Sequence, residues 1–224
     1  WVVIGLPTYV MPRWGILWVA ATWGRTSIWL MEVICNVRVE YRGREKIPQG
    51  PLIVASEHQS AWETLALLQF FDQPFYILKR ELTWLPFFGW YLLKAGMIGV
   101  NRETGGRSMI GVIRRASQQI RQGRQLLIFP EGTRNKTGTP ALLPLKSGAF
   151  VVAQSANADI VPCRVIYKGG RQHLFGTVTV VFGEPIPIAS LDLGGEHSAS
   201  KLRAAKAVLA GRLEELYRNN RQYE

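Results

Sequence analysis

Gly50-Pro51-Leu52-Ile53-Val54-Ala55 is an apolar run of strand length introduced by a glycine–proline turn signal. Ser56-Glu57-His58-Gln59-Ser60-Ala61-Trp62-Glu63 follows at once, and the pattern predicts a helix over 61–71. A short, wholly apolar strand that passes through a turn into a helix points to a strand buried on both faces. The same alternation continues outward. Val37 to Tyr41 reads as a strand, as do Phe75 to Leu78, Gln125 to Phe129, Ile160 to Tyr167 and Thr177 to Phe182. Met97 to Val100 reads as a further core strand. Met109, Val112, Ile113, Ala116 and Ile120 mark one helical face, with Arg114, Arg115 and Arg121 elsewhere on it. A helix is predicted over 147–155, and a last amphipathic helix carries Leu202, Ala205, Leu209, Leu213 and Leu216. Strands separated by helices predict an α/β fold, a mixed and largely parallel sheet flanked by helices. No repeat, low-complexity tract or linker divides residues 35–224, which read as one domain.

Residues 1–34 differ. Their charges are Arg13, Arg25 and Glu32, while Trp1, Trp14, Trp18, Trp23 and Trp29 recur among aliphatic residues. Pro7 and Pro12 break the pattern, and no uncharged run reaches the ~20 residues that span a bilayer. The stretch predicts an apolar, membrane-associated helical segment lying at an interface, with Trp at headgroup level. A buried apolar helix packed on the domain is the alternative. The basic start and cleavage site of a signal peptide are missing. The sequence opens at Trp1 rather than Met, so residues upstream are expected, and they would be needed to complete a span.

The 224 residues carry a net charge of +11, which favours anionic partners. Hydrophobic residues make up 47% of the chain, a composition that suits a membrane surface better than nucleic acid. Cys35 and Cys163 are solitary, without metal-ligand spacing, and a reducing compartment is the default. A serine hydrolase would need a G-x-S-x-G elbow, and nucleotide-driven transfer a G-x-x-x-x-G-K-[ST] loop; the chain has neither. Three His and two Cys do not show zinc-hydrolase spacing.

Two segments carry the chemistry. His58 and Glu63 lie at a predicted strand-to-helix exit, where sites gather in such sheets. A neutral imidazole there can accept a hydroxyl proton, and a carboxylate can fix its orientation. Ser60, three residues before Glu63, offers the other reading: a capping box beside an ordinary loop histidine. One carboxylate has two oxygens, so both can hold. The second segment is Phe129-Pro130-Glu131-Gly132-Thr133-Arg134. Gly132 permits a tight turn, Arg134 supplies a planar fork for phosphate, backbone N–H groups add to anion binding, and Glu131 can accept from a polyol hydroxyl. A solvated surface turn is the alternative. Lys79, Arg102 and Lys146 also stand at element ends and, with Arg134, fit an anion pocket. The stretch from Trp84 to Trp90 is apolar enough to line an acyl groove or touch a membrane, or to be a core-packed helix.

Taken together these residues resemble the glycerolipid acyltransferase family, and within it the bacterial 1-acylglycerol-3-phosphate acyltransferases. Four blocks appear in the family's order: His58 to Glu63, Gly99 to Arg102, Phe129 to Arg134, and Ile160 to Cys163. Lys79 with the following Pro-Phe-Phe-Gly-Trp, and Lys146 with Gly148, also look like family positions. The similarity covers roughly residues 36–185. It implies an α/β acyltransferase domain over 35–224, behind the membrane-association segment of 1–34. It implies transfer of a fatty acyl group from acyl-CoA or acyl carrier protein to the 2-hydroxyl of lysophosphatidic acid. His58 would be the base and Glu63 its holder. Arg102 and Arg134, helped by Lys79 and with Lys146 nearby, would bind the acceptor phosphate on the Gly132–Thr133 turn; Glu131 would meet the glycerol. No cofactor, metal or covalent acyl-enzyme is required, and no nucleic-acid partner is implied. The expected location is a membrane, at the cytoplasmic face of a bacterial inner membrane. One departure stands out: the family's usual carboxylate is Asp, and here it is Glu63, one methylene longer. A related acyltransferase for another lysolipid, such as lyso-ornithine lipid, or a nonenzymatic lipid-binding protein, would share most of these features. The latter has no need of His58 and Glu63 together.

Overall fold

The structure, a computed structural model, describes residues 1–101, 105–135, 141–168, 176–191, 193 and 198–220. The apolar runs form strands β1 (Val37–Arg42), β2 (Leu52–Ser56), β3 (Pro74–Lys79), β4 (Ile98–Val100), β5 (Gln125–Ile128), β6 (Ile160–Tyr167) and β7 (Gly176–Phe182). Helices are α1 (Val2–Gly5), α2 (Arg13–Cys35), α3 (Trp62–Ala66), α4 (Phe88–Lys94), α5 (Gly105–Arg121), α6 (Gly148–Ala156) and α7 (Ser198–Asn220). The strands form one sheet in the order β1-β7-β6-β2-β5-β3-β4. From β6 to β4 every neighbouring pair is parallel. β7 runs antiparallel to β6, and β1 runs parallel to β7. The sheet is therefore mixed and largely parallel, as the alternation predicts. All five residues of β2 are buried, which explains its unbroken apolar run.

The connections sort the helices into layers. β2 to β3 and β3 to β4 step one way across the sheet; β4 to β5 and β5 to β6 step back. Right-handed crossovers then place α3 and α4 on one face and α5 and α6 on the other. The packing agrees, because α2 lies against α3 and α4 while α5 lies against α6. On α5 the predicted face is realised by Val112, Ala116 and Ile120, all fully buried, whereas Met109 is exposed. On α7 the buried stripe is Ala205, Leu209 and Leu213.

Met97 to Val100 reads as a core strand, and Ile98–Val100 is β4, whose buried residues belong to the core although the strand lies at the edge of the sheet. Ile98 and Val100 are buried because α5 packs on them, and that burial mimics a central strand. The Trp84–Trp90 stretch is not core-packed. It is a 3-10 turn (Arg80–Trp84) followed by the start of α4, and Trp84, Leu85, Phe87, Phe88 and Trp90 are all exposed. Phe87 has φ +62°, strained backbone for an aromatic residue.

The N-terminal segment breaks where proline predicts. Leu6–Tyr9 is a 3-10 turn holding Pro7, Pro12 is the N-cap of α2, and Asn36 ends that helix in the left-handed conformation at φ +51°. α2 combines both readings of the sequence. Ile16, Leu17, Val19 and Ile28 join the main core, while Trp14, Trp18, Trp29, Val33 and Ile34 are exposed. α1 and the turn after it meet α4, where the Tyr9 and Tyr91 rings lie 5.3 Å apart and Lys94 Nζ donates to the Tyr9 carbonyl. Among the described residues no helix is long and apolar enough to cross a membrane.

Candidate active site

Because β6, β2, β5, β3 and β4 are parallel, their C-terminal ends share one edge of the molecule. His58 lies two residues past β2, and the Phe129–Arg134 turn leaves β5, the next strand over. Lys79 ends β3, the strand after that. The two sequence segments are thus neighbours in space. Their backbones are joined: Asn135 N–H donates to the His58 carbonyl at 2.7 Å, and His58 N–H donates to Glu131 Oε2 at 3.4 Å.

The His58 ring stacks on Phe129, with centroids 3.9 Å apart and planes 18° from parallel. Phe129 in turn stacks over Tyr76 of β3. One face of the imidazole is therefore covered, and its side chain is only 16% exposed. Nδ1 lies 3.4 Å from Glu63 Oε2, at ion-pair rather than short hydrogen-bond distance. That leaves Nε2 as the nitrogen turned away from the carboxylate. Glu63 sits in the first turn of α3, fully buried. Both of its oxygens accept the Ser60 N–H at 2.9 Å, and the Trp62 N–H donates to Ser60 Oγ at 3.0 Å. Capping and histidine contact coexist, one carboxylate serving both.

In the second segment Glu131 is buried, while Thr133 and Arg134 are exposed. The Glu131 carboxylate accepts from the N–H groups of His58 and Leu143, each at 3.4 Å. Burial raises its pKa, and those two donors offset part of the rise. Glu131 therefore braces the turn against the histidine loop, and it is not the solvated acid of an ordinary surface turn. Gly132 is needed twice over. Its φ is +69°, and a Cβ there would come within 2.8 Å of Lys146 Nζ. Lys146 lies over this turn, and its N–H donates to the Pro130 carbonyl at 2.7 Å, so two cations, Arg134 and Lys146, belong to one loop system. Lys79 is exposed, 3.6 Å from Glu81. Its register partner across the ladder is Val100. Arg102 lies outside the described residues.

Three features of this edge were missed in the sequence. Asn135 is buried and ties the two segments together, with Nδ2 donating to the Ala141 carbonyl. Glu57 and Arg164 form a fully buried ion pair behind the histidine, Oε2 to Nε 2.7 Å, and Arg164 also lies over the Tyr217 ring. Burial pushes the Glu57 carboxyl up to about 7 despite the neighbouring guanidinium. Tyr167, the last residue of β6, donates to Glu63 Oε1 at 2.6 Å. A charged residue inside an apolar strand, as Arg164 is within Ile160–Tyr167, is the one cue the sequence held. Cys163 is inert by contrast: burial pushes its thiol up to about 12. Among the described residues no cluster of His, Cys, Asp and Glu is placed to hold a metal ion. A cavity of about 520 Å³ lined by Arg44, Phe70, Phe71 and Gln125 opens at the opposite end of β2 and β5. His58, the Glu63 that contacts it, and the turn with Arg134 and Lys146 gather at the other edge, which is the candidate site.

Residues 38–166 match the family model described as Acyltransferase, more than half of the chain. The chain belongs to the acyltransferase family. Over 170 residues it is 35% identical to the 1-acyl-sn-glycerol-3-phosphate acyltransferase of Pseudomonas aeruginosa, covering 74% of this chain and 65% of that protein. Over 166 residues it is 32% identical to the human 1-acyl-sn-glycerol-3-phosphate acyltransferase beta, covering 70% of this chain and 58% of that protein. The chain thus spans less than two thirds of the length of either relative. The crystal structure of the 1-acyl-sn-glycerophosphate (LPA) acyltransferase PlsC from Thermotoga maritima superposes with a TM-score of 0.68 at 20% identity, covering 95% of this chain and 87% of that one. The acyltransferase fold is shared across that distance, and the matched stretch contains both segments of the candidate active site.

Proposed function

We propose that this acyltransferase moves a fatty acyl group from an acyl thioester, carried by coenzyme A or acyl carrier protein, to the 2-hydroxyl of 1-acylglycerol-3-phosphate, giving phosphatidic acid. The observation that carries this reading is the junction of the two segments: the Asn135 N–H held 2.7 Å from the His58 carbonyl, with Glu63 against the His58 ring. The names of the relatives support the choice of acceptor.

In this reading Nε2 of His58 takes the proton of the acceptor hydroxyl. The alkoxide oxygen bonds to the thioester carbonyl carbon. The tetrahedral oxyanion then collapses, the C–S bond breaks, and the departing thiolate takes the proton back from His58. Glu63 stabilises the transient imidazolium and holds the ring, as the carboxylate does in hydrolase triads. Phe129 fixes the ring plane. Arg134 and Lys146, on one loop system, hold the acceptor phosphate together with Lys79 and Arg102. Glu131 keeps the phosphate-binding turn at a fixed offset from the base, held by the N–H groups of His58 and Leu143. No cofactor enters. The exposed apolar surface of α1, α2 and α4, with a net charge of +11, suits attachment to an anionic lipid leaflet, and the cytoplasmic face of a bacterial inner membrane fits.

The test is an acyl-transfer assay on the purified chain in vesicles, with labelled acyl-CoA or acyl carrier protein and a panel of lysolipids, read by product mass. Phosphatidic acid from lysophosphatidic acid is expected. Acylation of a different lysolipid alone would move the substrate assignment. Lipid binding without transfer to any member of the panel would replace the enzyme with a binding protein.

A further inference from the structure

The Glu63 carboxylate is held from more sides than capping requires. Oε2 faces His58 Nδ1 at 3.4 Å, and Oε1 accepts the Tyr167 hydroxyl at 2.6 Å. The Ser60 N–H is shared equally between the two oxygens, so by itself it does not settle the tilt of the carboxylate plane. Tyr167 acts on one oxygen only. Its hydroxyl is in turn 3.1 Å from Ser60 Oγ, and that oxygen accepts the Trp62 N–H. β6 is also the platform for the rest of the histidine loop. The Glu57 N–H donates to the Cys163 carbonyl, Arg164 pairs with Glu57, and Gln59 Nε2 donates to the Val165 carbonyl. Residues 163, 164, 165 and 167 thus tie down residues 57, 59, 60 and 63. The family match ends at residue 166, one short of this tyrosine.

We propose that Tyr167 is a positioning residue for the proposed acyl transfer: its hydroxyl fixes the plane of the Glu63 carboxylate and thereby sets how strongly Glu63 favours the charged His58 ring. The inference rests on His58 and Glu63 being the base and its holder. Burial, and then the Glu63 charge beside it, hold the Tyr167 phenol well above its usual range, so it stays a proton donor. A hydrogen bond to an ionised carboxylate spreads its charge and weakens its hold on an adjacent imidazolium. The length of Glu63 has a use here. Glu63 reaches both Tyr167 and His58 with a side chain one methylene longer than that of aspartate.

Three proteins decide it: the unsubstituted chain, Tyr167→Phe, and the chain with 3-fluorotyrosine at 167, which keeps the ring and makes a stronger donor. The first readout is the pH titration of the His58 ring by NMR with labelled histidine, assigned with His58→Gln. Tyr167→Phe is expected to titrate roughly half a pH unit to one unit higher, the size of one hydrogen bond to a charged group, and the fluorotyrosine form lower. The second readout is kinetic. Tyr167→Phe should lower kcat about 10-fold, with the acceptor KM changed by less than about twofold and the acid limb of the kcat profile moving with the ring. Nearby groups that titrate or carry charge are Glu57 in the loop, Arg164 and Cys163 on β6, Tyr76 on β3 and Glu131 on the turn. All are common to the three proteins, so the differences report position 167. Equal titration in all three, or displacement of both variants in the same sense, overturns the assignment. If Tyr167→Phe does not fold, the fluorotyrosine form carries the test. If the unsubstituted chain acylates no lysolipid, the proposed function fails and the catalytic meaning of Tyr167 falls with it, while the NMR comparison still decides whether Tyr167 tunes the Glu63–His58 contact.

Discussion

At the scale of the residue, the proposed function divides the work between His58, for chemistry, and Arg134, for binding. His58→Ala should lower kcat by at least about 100-fold, the loss of a positioned base, with the circular dichroism spectrum and vesicle binding unchanged. Arg134→Ala removes a phosphate fork from an exposed turn, so the acceptor KM should rise about 10-fold or more while kcat changes less. Near-normal turnover in the first, or an unchanged acceptor KM in the second, would sink the respective role. Glu57 makes a different prediction. Its folded pKa of about 7 lies above its ordinary value of 4.5, so the stability it contributes is complete below pH 4.5 and is lost as pH rises through about 7. Relative to Glu57→Gln, the unsubstituted chain should lose on the order of 2–3 kcal/mol between pH 4 and pH 8, read from urea unfolding. A constant offset between the two across that range would show that Glu57 stays ionised. Sequence spacing singled out His58 and Glu63 because an imidazole and a carboxylate lie close together in the chain, and the structure brings the two side chains into contact. It could not find Tyr167, which sits 104 residues further on, at the end of a strand where a tyrosine is ordinary.

Among the elements, two contacts hold the sheet and its covering helices in register. Arg124 is almost wholly buried at the start of β5 and donates to the carbonyls of Gln73, Pro74, Ala95 and Gly96 as well as contacting Gln119. It satisfies the loops entering β3 and β4 together. Arg124→Ala leaves those acceptors buried and bare, and should cost about 3–4 kcal/mol, seen as a lower urea midpoint with an unchanged m-value. Gly24 is the second contact. A Cβ on it would lie 2.7 Å from the Leu65 carbonyl of α3, so α2 and α3 touch backbone to backbone. In an exposed helix Gly→Ala gains about 1 kcal/mol. Here the sign should reverse, with Gly24→Ala lowering Tm; a raised Tm would show that the helices separate without cost. Strand positions were legible because central strands of this sheet are unbroken apolar runs. The edge position of β4 was not legible, because a helix covers it and burial from above looks the same in a sequence as burial between neighbours. The ends of α2 were legible in part: Pro12 announces one, while the left-handed Asn36 at the other is an ordinary residue.

In the whole molecule the candidate site lies on one sheet edge, and the exposed aromatics lie on the N-terminal helices, on the 3-10 turn Arg80–Trp84 and on α4. Trp84 is 64% exposed and Trp90 52%. If this surface meets lipid, Trp84→Ser with Trp90→Ser should weaken partition onto anionic vesicles about tenfold or more, from about 1–2 kcal/mol per ring withdrawn from water. Turnover of a short-chain, water-soluble acceptor should survive the double change. Equal partition before and after would assign the surface another partner. Strand order was beyond the sequence, since apolar runs of similar composition do not say which neighbour each will choose. The parallel block follows from crossover handedness only once that order is known.

The seating of α2 bears on how the protein can be handled. Cutting the chain before β1 to gain solubility would strip Ile16, Leu17, Val19 and Ile28 from the core and bare the Leu65 carbonyl, leaving the helix that carries Glu63 without its roof. A water-soluble form is better sought by recolouring the outward Trp14, Trp18 and Trp29 with polar side chains, which leaves every inward contact of that roof in place.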